Sequence, residues 1–215
     1  MGAVRVQLVG ALAVMRDGSG AEASVGSRKA RLLLALLAAH RGAHVPLGQI
    51  VDALWCEQPP QRPHRAVATL VSRLRAELGR TVVVGGPAGY RLGGAPAVSV
   101  DLDEGGRLVE HGRARLAQGS AALAVAAART ACGLLDVGPV LADIPEFEWV
   151  RALRSEQAAL LRSARQLRVE AALLTGEITE AVTVAEAAAG ADSLDETAHR
   201  LLMRAHQAAG EPARH

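Results

Sequence analysis

The sequence predicts an α+β winged helix-turn-helix followed by an all-α domain of tetratricopeptide-like helical repeats. Three observations support this prediction: an ordered series of strand and helix signals, a net charge that changes sign between the halves, and a repeat near the end. Residues 1–94 hold 12 basic and 5 acidic residues, a net charge of +7, whereas residues 95–215 hold 12 and 17, a net charge of −5. We therefore predict two domains, 1–94 and 95–215, joined in the Gly- and Pro-rich run 92–100.

The first half carries its strand and helix signals in a defined order. Alternating apolar residues predict strands at 4–8 and 12–16, and a turn at 17–20 leads to a third short strand at 23–25. Ser27 is expected to cap a helix running to about residue 40, a second helix covers 47–55, and Pro63 opens a third that ends at Gly79. Strands at 81–84 and 90–92 then flank a glycine-rich tip at 85–89, the pattern of a β-hairpin.

The second half shows no strand signal and is expected to be helical throughout. Two Gly-Glu pairs, at 176 and 210, lie 34 residues apart, and the same shift maps Leu167 onto Leu201 and Ala171 onto Ala205. That spacing is the tetratricopeptide period. Because the second helix of the last pair would only be starting at His215, we expect a chain truncated at its C-terminus. The predicted helices cover residues 102–118, 121–135, 145–175, 178–189 and 194–209.

The third helix has an apolar side and a polar side when it is drawn as a helical wheel. Arg65, Thr69, Ser72 and Arg73 lie on or beside the polar side, together with small residues such as Ala76. Such a surface suits the major groove of DNA, which is about 12 Å wide and displays base edges. An ordinary solvated face is the alternative, but the position between a helix and a basic hairpin favours DNA. We predict that these two arginines and two hydroxyl residues face the bases.

The first turn of the first helix holds three cations, Arg28, Lys29 and Arg31. The helix macrodipole disfavours cations there, and a phosphate would relieve that cost. Three solvated side chains are the alternative. For Tyr90 we expect packing of the hairpin onto the third helix. The residues expected to face DNA phosphates are Arg28, Lys29, Arg31, Arg62, His64, Arg75 and Arg91.

The connection between the second and third helices, residues 56–62, is longer than a tight helix-turn-helix turn. Its two prolines, Pro59 and Pro60, hold it extended. A rigid outward loop is suited to contact a partner bound next to the protein, and Glu57 and Gln58 are the residues expected to make that contact. A passive connector is the alternative, given equal weight.

Composition excludes several classes of function. With four aromatic residues in the chain, a surface that stacks single-stranded bases is excluded. The two cysteines lack metal-ligand spacing, and no arrangement of nucleophile, base and carboxylate stands out. We therefore expect no enzyme activity, no metal and no cofactor. The longest uncharged stretch is shorter than the ~20 residues of a membrane span, so we expect none. The two distant cysteines fit a reducing cytosol, which predicts a cytoplasmic protein. A weak signal-peptide core at 6–15 is the alternative, but the alternation there favours strands.

Four strings of the first half stand out by their order and spacing. They are GSRKARLLLALL at 26–37, DALW at 52–55, VSRLR at 71–75 and PAGYRL at 87–92. In these strings, and over nearly its whole length, the chain resembles the Streptomyces antibiotic regulatory protein (SARP) family. The family often has Gln and an aromatic residue where this sequence has Ala68 and Leu70.

The resemblance implies an OmpR-type winged helix joined to a bacterial transcriptional activation domain. It also implies a transcriptional activator of secondary metabolism that binds promoter direct repeats as a homodimer and recruits RNA polymerase through the 56–62 loop. The alternatives are the N-terminal part of a larger regulator with NTPase or sensor domains, and a protein-interaction module that does not bind DNA. Steep weakening by salt would distinguish DNA binding from the latter.

Overall fold

The computed structural model describes residues 3–16, 23, 25–56 and 58–210. Two compact units are present: unit 1 comprises Met1–Asp103 and Gly138–Arg154, and unit 2 comprises Glu104–Val137 and Ser155–His215. The division into 1–94 and 95–215 stays a prediction. Among the described residues, no helix combines the length and apolarity that crossing a bilayer requires.

The first part of unit 1 alternates short strands and helices. In chain order its elements are β1 (Val4–Gln7), β2 (Ala13–Arg16), α1 (Arg28–Ala39), β3 (Val45–Pro46), α2 (Leu47–Trp55), α3 (Pro63–Leu78), β4 (Val83–Gly86), β5 (Gly89–Leu92) and β6 (Val98–Val100).

The three predicted helices of the first half are present, and α2 has both predicted ends. Ser27 occupies the N-cap position of α1, but its side chain makes no capping hydrogen bond. The core beneath the helices is aliphatic because each helix turns one leucine-rich or valine-rich face inward. Its largest fully buried side chains include Leu33, Leu37, Ile50 and Leu74.

The first sheet has the strand order β2-β1-β6, with β1 antiparallel to β2 and parallel to β6. The prediction that the second half contains no strand is wrong at Val98–Val100, within the run expected to be a linker. Alternation explains this strand: Val98 and Val100 are buried while Ser99 is half-buried, so the run fits a sheet edge despite its flanking glycines and proline.

The predicted strand at 23–25 is not formed at the described residues Ala23 and Val25; Ser24 and the turn at 17–20 lie outside the described residues. Ala23 donates one backbone hydrogen bond to Val14, 2.7 Å long. This bond brings Ala23 next to β2, and neither Ala23 nor Val25 has strand conformation.

The second sheet has the order β3-β5-β4 and forms the wing. Its hairpin is longer than predicted because Gly86 pairs with Gly89, which leaves Pro87 and Ala88 as a two-residue turn. The two-residue strand β3, absent from the sequence prediction, pairs Val45 with Tyr90. The wing is thereby hydrogen-bonded to the residues just before α2.

Most of the described residues after Val100 are helical. The helices are α4 (Asp101–Ala117), α5 (Ala121–Leu135), α6 (Glu148–Thr175), α7 (Ile178–Ala191) and α8 (Glu196–Ala208). The helix predicted from residue 145 begins at Glu148, and the Phe147 carbonyl before it accepts from the Arg151 N–H at 3.0 Å. Further upstream, Leu141 N–H donates to Leu8 and Ala142 N–H to Gly10, each bond 2.8 Å long.

The 34-residue repeat corresponds to equivalent packing positions in unit 2. Leu167, Ala171, Leu201 and Ala205 all belong to one buried apolar cluster. The glycines that end the predicted helices, Gly119, Gly176 and Gly210, have φ values of 77°, 78° and 74°. Because side chains other than glycine rarely adopt this conformation, these glycines end the helices at equivalent positions.

Candidate nucleic-acid interface

The α3 helix separates a buried face from an exposed one, as its sequence predicts. Val67, Leu70, Val71, Leu74 and Leu78 are buried against the rest of unit 1. The exposed face carries Arg65, Ala68, Thr69, Ser72, Arg73 and Ala76. The four residues predicted to face bases therefore share one accessible surface, and their role as base contacts stays a prediction.

The polar groups on this face have different hydrogen-bonding capacity. Thr69 Oγ1 donates to the Arg65 carbonyl, 2.8 Å away, so its hydroxyl oxygen remains able to accept. Arg65 and Arg73 present guanidinium groups, which match the paired acceptors O6 and N7 of guanine. Small side chains between them, including Ala68, leave the backbone of α3 accessible to a groove.

Arg75 joins α3 to the wing. Its Nε donates to the Val83 carbonyl at 2.9 Å and its Nη2 to the Gly85 carbonyl at 3.1 Å. Its guanidinium carbon lies 5.9 Å from the centroid of the Tyr90 ring, which is buried. The packing role expected for Tyr90 is confirmed. The predicted contact of Arg75 with phosphate stays a prediction. Two of its guanidinium nitrogens already donate to carbonyls of the wing.

An open cleft of about 510 Å³ lies between α3 and the wing. Ser72 and Ala76 line it from α3, and Arg80 lines it from the turn that follows. Arg80 is exposed, and the sequence analysis did not select it. The available signal was its position directly after Gly79, where a basic residue follows the end of the third helix.

The cations at the start of α1 have partners within unit 1. Lys29 Nζ donates to the Leu54 carbonyl and lies 5.4 Å from the centroid of the Trp55 ring. Arg31 Nη2 donates to the Leu12 carbonyl at 2.6 Å and to Asp143 Oδ2 at 2.7 Å. The anion that the sequence analysis sought for this helix end is, for Arg31, a carboxylate of the same unit.

Asp143 is held in its ionised form at this position. Partial burial acts to raise its pKa, but hydrogen bonds from the Leu12 backbone N–H and from Arg31 outweigh that effect, so the pKa lies below its ordinary value. The Leu12 bond is 2.8 Å long. Arg31 therefore faces a charged carboxylate at neutral pH.

The remaining predicted phosphate contacts are exposed: Arg28 at α1, Arg62 and His64 at the start of α3, and Arg91 on β5. Arg91 Nη1 makes a long hydrogen bond, 3.4 Å, to the Leu92 carbonyl. Their positions leave the guanidinium and imidazole groups accessible to solvent, which a phosphate contact requires.

The loop between α2 and α3 is exposed at Gln58 and Pro59. Gln58 N–H donates to the Trp55 carbonyl at 3.0 Å, and Cys56 has a φ of 49°, so the chain turns sharply as it leaves α2. Glu57 lies outside the described residues. The contact role of Glu57 and Gln58 stays a prediction.

Two protein families match consecutive parts of the chain. The family "Transcriptional regulatory protein, C terminal" matches residues 22–92, and the "Bacterial transcriptional activator domain" matches residues 100–214. The regulatory protein AfsR of Streptomyces coelicolor is 32% identical over 99% of this chain and 21% of its own length. The transcriptional regulatory protein EmbR of Mycobacterium tuberculosis is 30% identical over 84% of this chain and 47% of its own length.

A solved structure shows the same fold. Mycobacterium tuberculosis EmbR in complex with a low-affinity phosphopeptide aligns with a TM-score of 0.66 at 22% identity, covering 100% of this chain and 67% of the EmbR chain. The two family matches define the class of protein, a transcriptional regulatory protein with an OmpR-type winged helix. The chain belongs to the SARP family, in which that winged helix is followed by a bacterial transcriptional activator domain. It spans about a fifth of the length of AfsR and about half that of EmbR.

Proposed function

We propose that the chain is a sequence-specific activator that binds double-stranded DNA through α3. The exposed face of α3, with two arginines, two hydroxyls and intervening alanines, carries this proposal. A helix with this surface enters the major groove, and Arg65, Thr69, Ser72 and Arg73 contact base edges. The wing, fixed to α3 by Arg75, then lies beside the backbone of the same duplex.

Phosphate contacts position the protein on the duplex. Exposed side chains at three places in unit 1 are suited to this role: Arg28, Arg62 with the imidazole of His64, and Arg91. We expect smaller losses when Lys29, Arg31 or Arg75 is replaced, because their side chains have partners within the unit. The net charge of +7 on residues 1–94 adds long-range attraction to DNA.

Activation requires a second contact, to RNA polymerase. The 56–62 loop offers one surface for it, and the acidic residues of unit 2 offer another. By likeness to the SARP family, we propose that two copies bind direct repeats in a promoter and that the target genes belong to secondary metabolism. The transcriptional regulators among the relatives support this proposal.

Replacing Arg73 by Ala is expected to weaken operator binding by about 1–3 kcal/mol, or about 5- to 150-fold, and to relax preference at one base pair. The reason is loss of a guanidinium aimed at a base edge. Fluorescence anisotropy against a set of single-base operator variants measures both effects. The matched control is Arg113→Ala, an exposed arginine of unit 2, with unchanged affinity expected.

The same titrations repeated at several salt concentrations test DNA binding itself. In a plot of the logarithm of the association constant against the logarithm of the salt concentration, the slope should be about −0.9 for each phosphate contact. An affinity independent of salt would favour the protein-interaction alternative. Equal loss on every DNA sequence in the Arg73 variant would assign that residue to the phosphate backbone instead of a base.

Replacing Glu57 and Gln58 together by Ala is expected to lower promoter-driven transcription about fivefold while operator affinity holds. A fivefold decrease corresponds to the loss of one partner contact that contributes about 1 kcal/mol to binding. Transcription in vitro, with operator binding measured in parallel, gives both quantities. Gln49→Ala with Asp52→Ala, an exposed amide and acid on α2, is the control. If transcription and affinity are both unchanged, the loop is a passive connector.

A further inference from the structure

A cavity of about 280 Å³ lies in unit 1, and none of its lining residues belongs to α3. It shares Arg28 with the proposed phosphate contacts, but the proposed function assigns no role to the cavity itself. The start of α1, the end of α2 and the segment before α6 line it. The volumes of pockets that bind small molecules start at about 300 Å³, so this cavity suits a small ligand. The residues that determine its chemistry are Arg28, Lys29, Arg31, Trp55, Asp143 and Phe147.

The walls carry an excess of positive charge. Three cations, Arg28, Lys29 and Arg31, face one carboxylate, that of Asp143. Asp143 pairs with Arg31, at 2.7 Å. The partners of Lys29 are a neutral carbonyl and an aromatic ring, neither of which cancels its charge. A ligand with one negative charge would therefore meet complementary groups at this end of the cavity.

The rest of the lining is apolar and partly aromatic. Leu32, Leu54 and Ile144 form aliphatic walls around Trp55. Phe147 stacks on Trp149, with ring centroids 5.9 Å apart and ring planes inclined by 5°. This stacking restricts the position of the Phe147 ring. Flat apolar ligands pack well against such rings.

We propose that this cavity binds a small aromatic carboxylate. The carboxylate lies beside Arg28 and Lys29, and the ring system enters between Leu32, Trp55 and Phe147. Binding is non-covalent and needs no DNA, and the site contains none of the four residues proposed to contact bases. Arg28 is common to this site and to the proposed phosphate contacts. The direct consequence of binding is that the chain responds to an organic acid by holding α1, α2 and the 143–147 segment together.

Isothermal titration calorimetry of the full chain with 1-naphthoate tests this assignment. We expect saturable binding to one site. The uncharged analogue 1-naphthamide should bind at least about tenfold more weakly, because it cannot pair with the cations. Absence of saturable 1-naphthoate binding, or equal affinity for the amide, would overturn the proposal.

Two variants locate the site. Leu32→Phe places extra volume in the cavity and should lower 1-naphthoate affinity at least about tenfold. Arg28→Gln removes an exposed cation at the rim, leaves the core unchanged and should lower affinity about threefold or more. Arg113→Gln, an exposed arginine of unit 2, is the control. If a folded Arg28→Gln protein binds 1-naphthoate as the unmodified chain does, the ligand lies elsewhere and the proposal is wrong.

Discussion

Replacing Asp101 by Ala is expected to destabilise unit 1 by about 3 kcal/mol, the cost of leaving buried N–H groups without acceptors. Asp101 is 2% exposed, and its carboxylate accepts from the backbone N–H groups of Leu8, Val9 and Leu102 at 2.8–2.9 Å. Burial raises its pKa, and these three bonds act against that shift. Urea unfolding followed by circular dichroism measures the loss.

The matched control is Asp103→Ala, two residues further along α4. Asp103 pairs with Arg41 at 3.0 Å, and both side chains are about a third or more exposed to solvent. Such a pair contributes about 0–1 kcal/mol. Equal unfolding midpoints for the Asp101 and Asp103 variants would mean that water replaces the carboxylate at Leu8 and Val9, and that the bonds do not stabilise the unit.

Replacing Gly89 by Ala is expected to cost about 3 kcal/mol and to displace the wing. Gly89 has a φ of 153°, and a Cβ there would overlap the backbone carbonyl of Val45 and the ring of His44. Overpacking and backbone strain each cost about 1–3 kcal/mol at such sites. Because the overlapping carbonyl belongs to β3, relief requires the β3–β5 pairing to open. Unfolding midpoint and operator affinity should both fall.

The control for this substitution lies in the same hairpin. Gly86 pairs with Gly89 across the turn, yet a Cβ at Gly86 would meet no atom within 4 Å. Gly86→Ala should therefore leave the free energy of unfolding within about 0.5 kcal/mol of that of the unmodified chain. If both variants unfold alike, the wing adjusts freely and the clash at Val45 is relieved without cost.

Local patterns in the sequence were sufficient for the helices and insufficient for the shortest strands. The predicted ends of α2 and α5 agree with the structure, and so do the buried and exposed faces of α3. The strands β3 and β6 were missed because two or three residues carry too little periodicity. Their pairing partners, Tyr90 for Val45 and Val4 for Val98, are remote in the chain, and a local pattern contains no information about them.

Local sequence patterns likewise predicted one part of the candidate site and missed another. Exposure of Arg65, Thr69, Ser72 and Arg73 follows from helical periodicity alone. Arg31 and Asp143 pair in the structure although they lie 112 positions apart in the chain. Residue spacing gives no sign of this carboxylate partner, and Arg31 was therefore predicted to face a DNA phosphate. Side-chain partners brought together by tertiary structure decide which cations remain available, and residue spacing does not reveal them.

Unit 1 is discontinuous in the chain, and this affects how the protein folds as it is synthesised. The ribosome delivers β1 first, at about 5–20 residues per second, but β1 pairs with Val98–Val100, and Leu8 and Gly10 accept hydrogen bonds from Leu141 and Ala142. The N-terminal unit is therefore incomplete until residue 154 has left the exit tunnel. By then residues 104–137 of unit 2 have already emerged. The nascent chain accordingly completes its two units in an interleaved order. The helices and the wing around α3 can assemble before the β2-β1-β6 sheet and the segment after β1 have all their backbone partners.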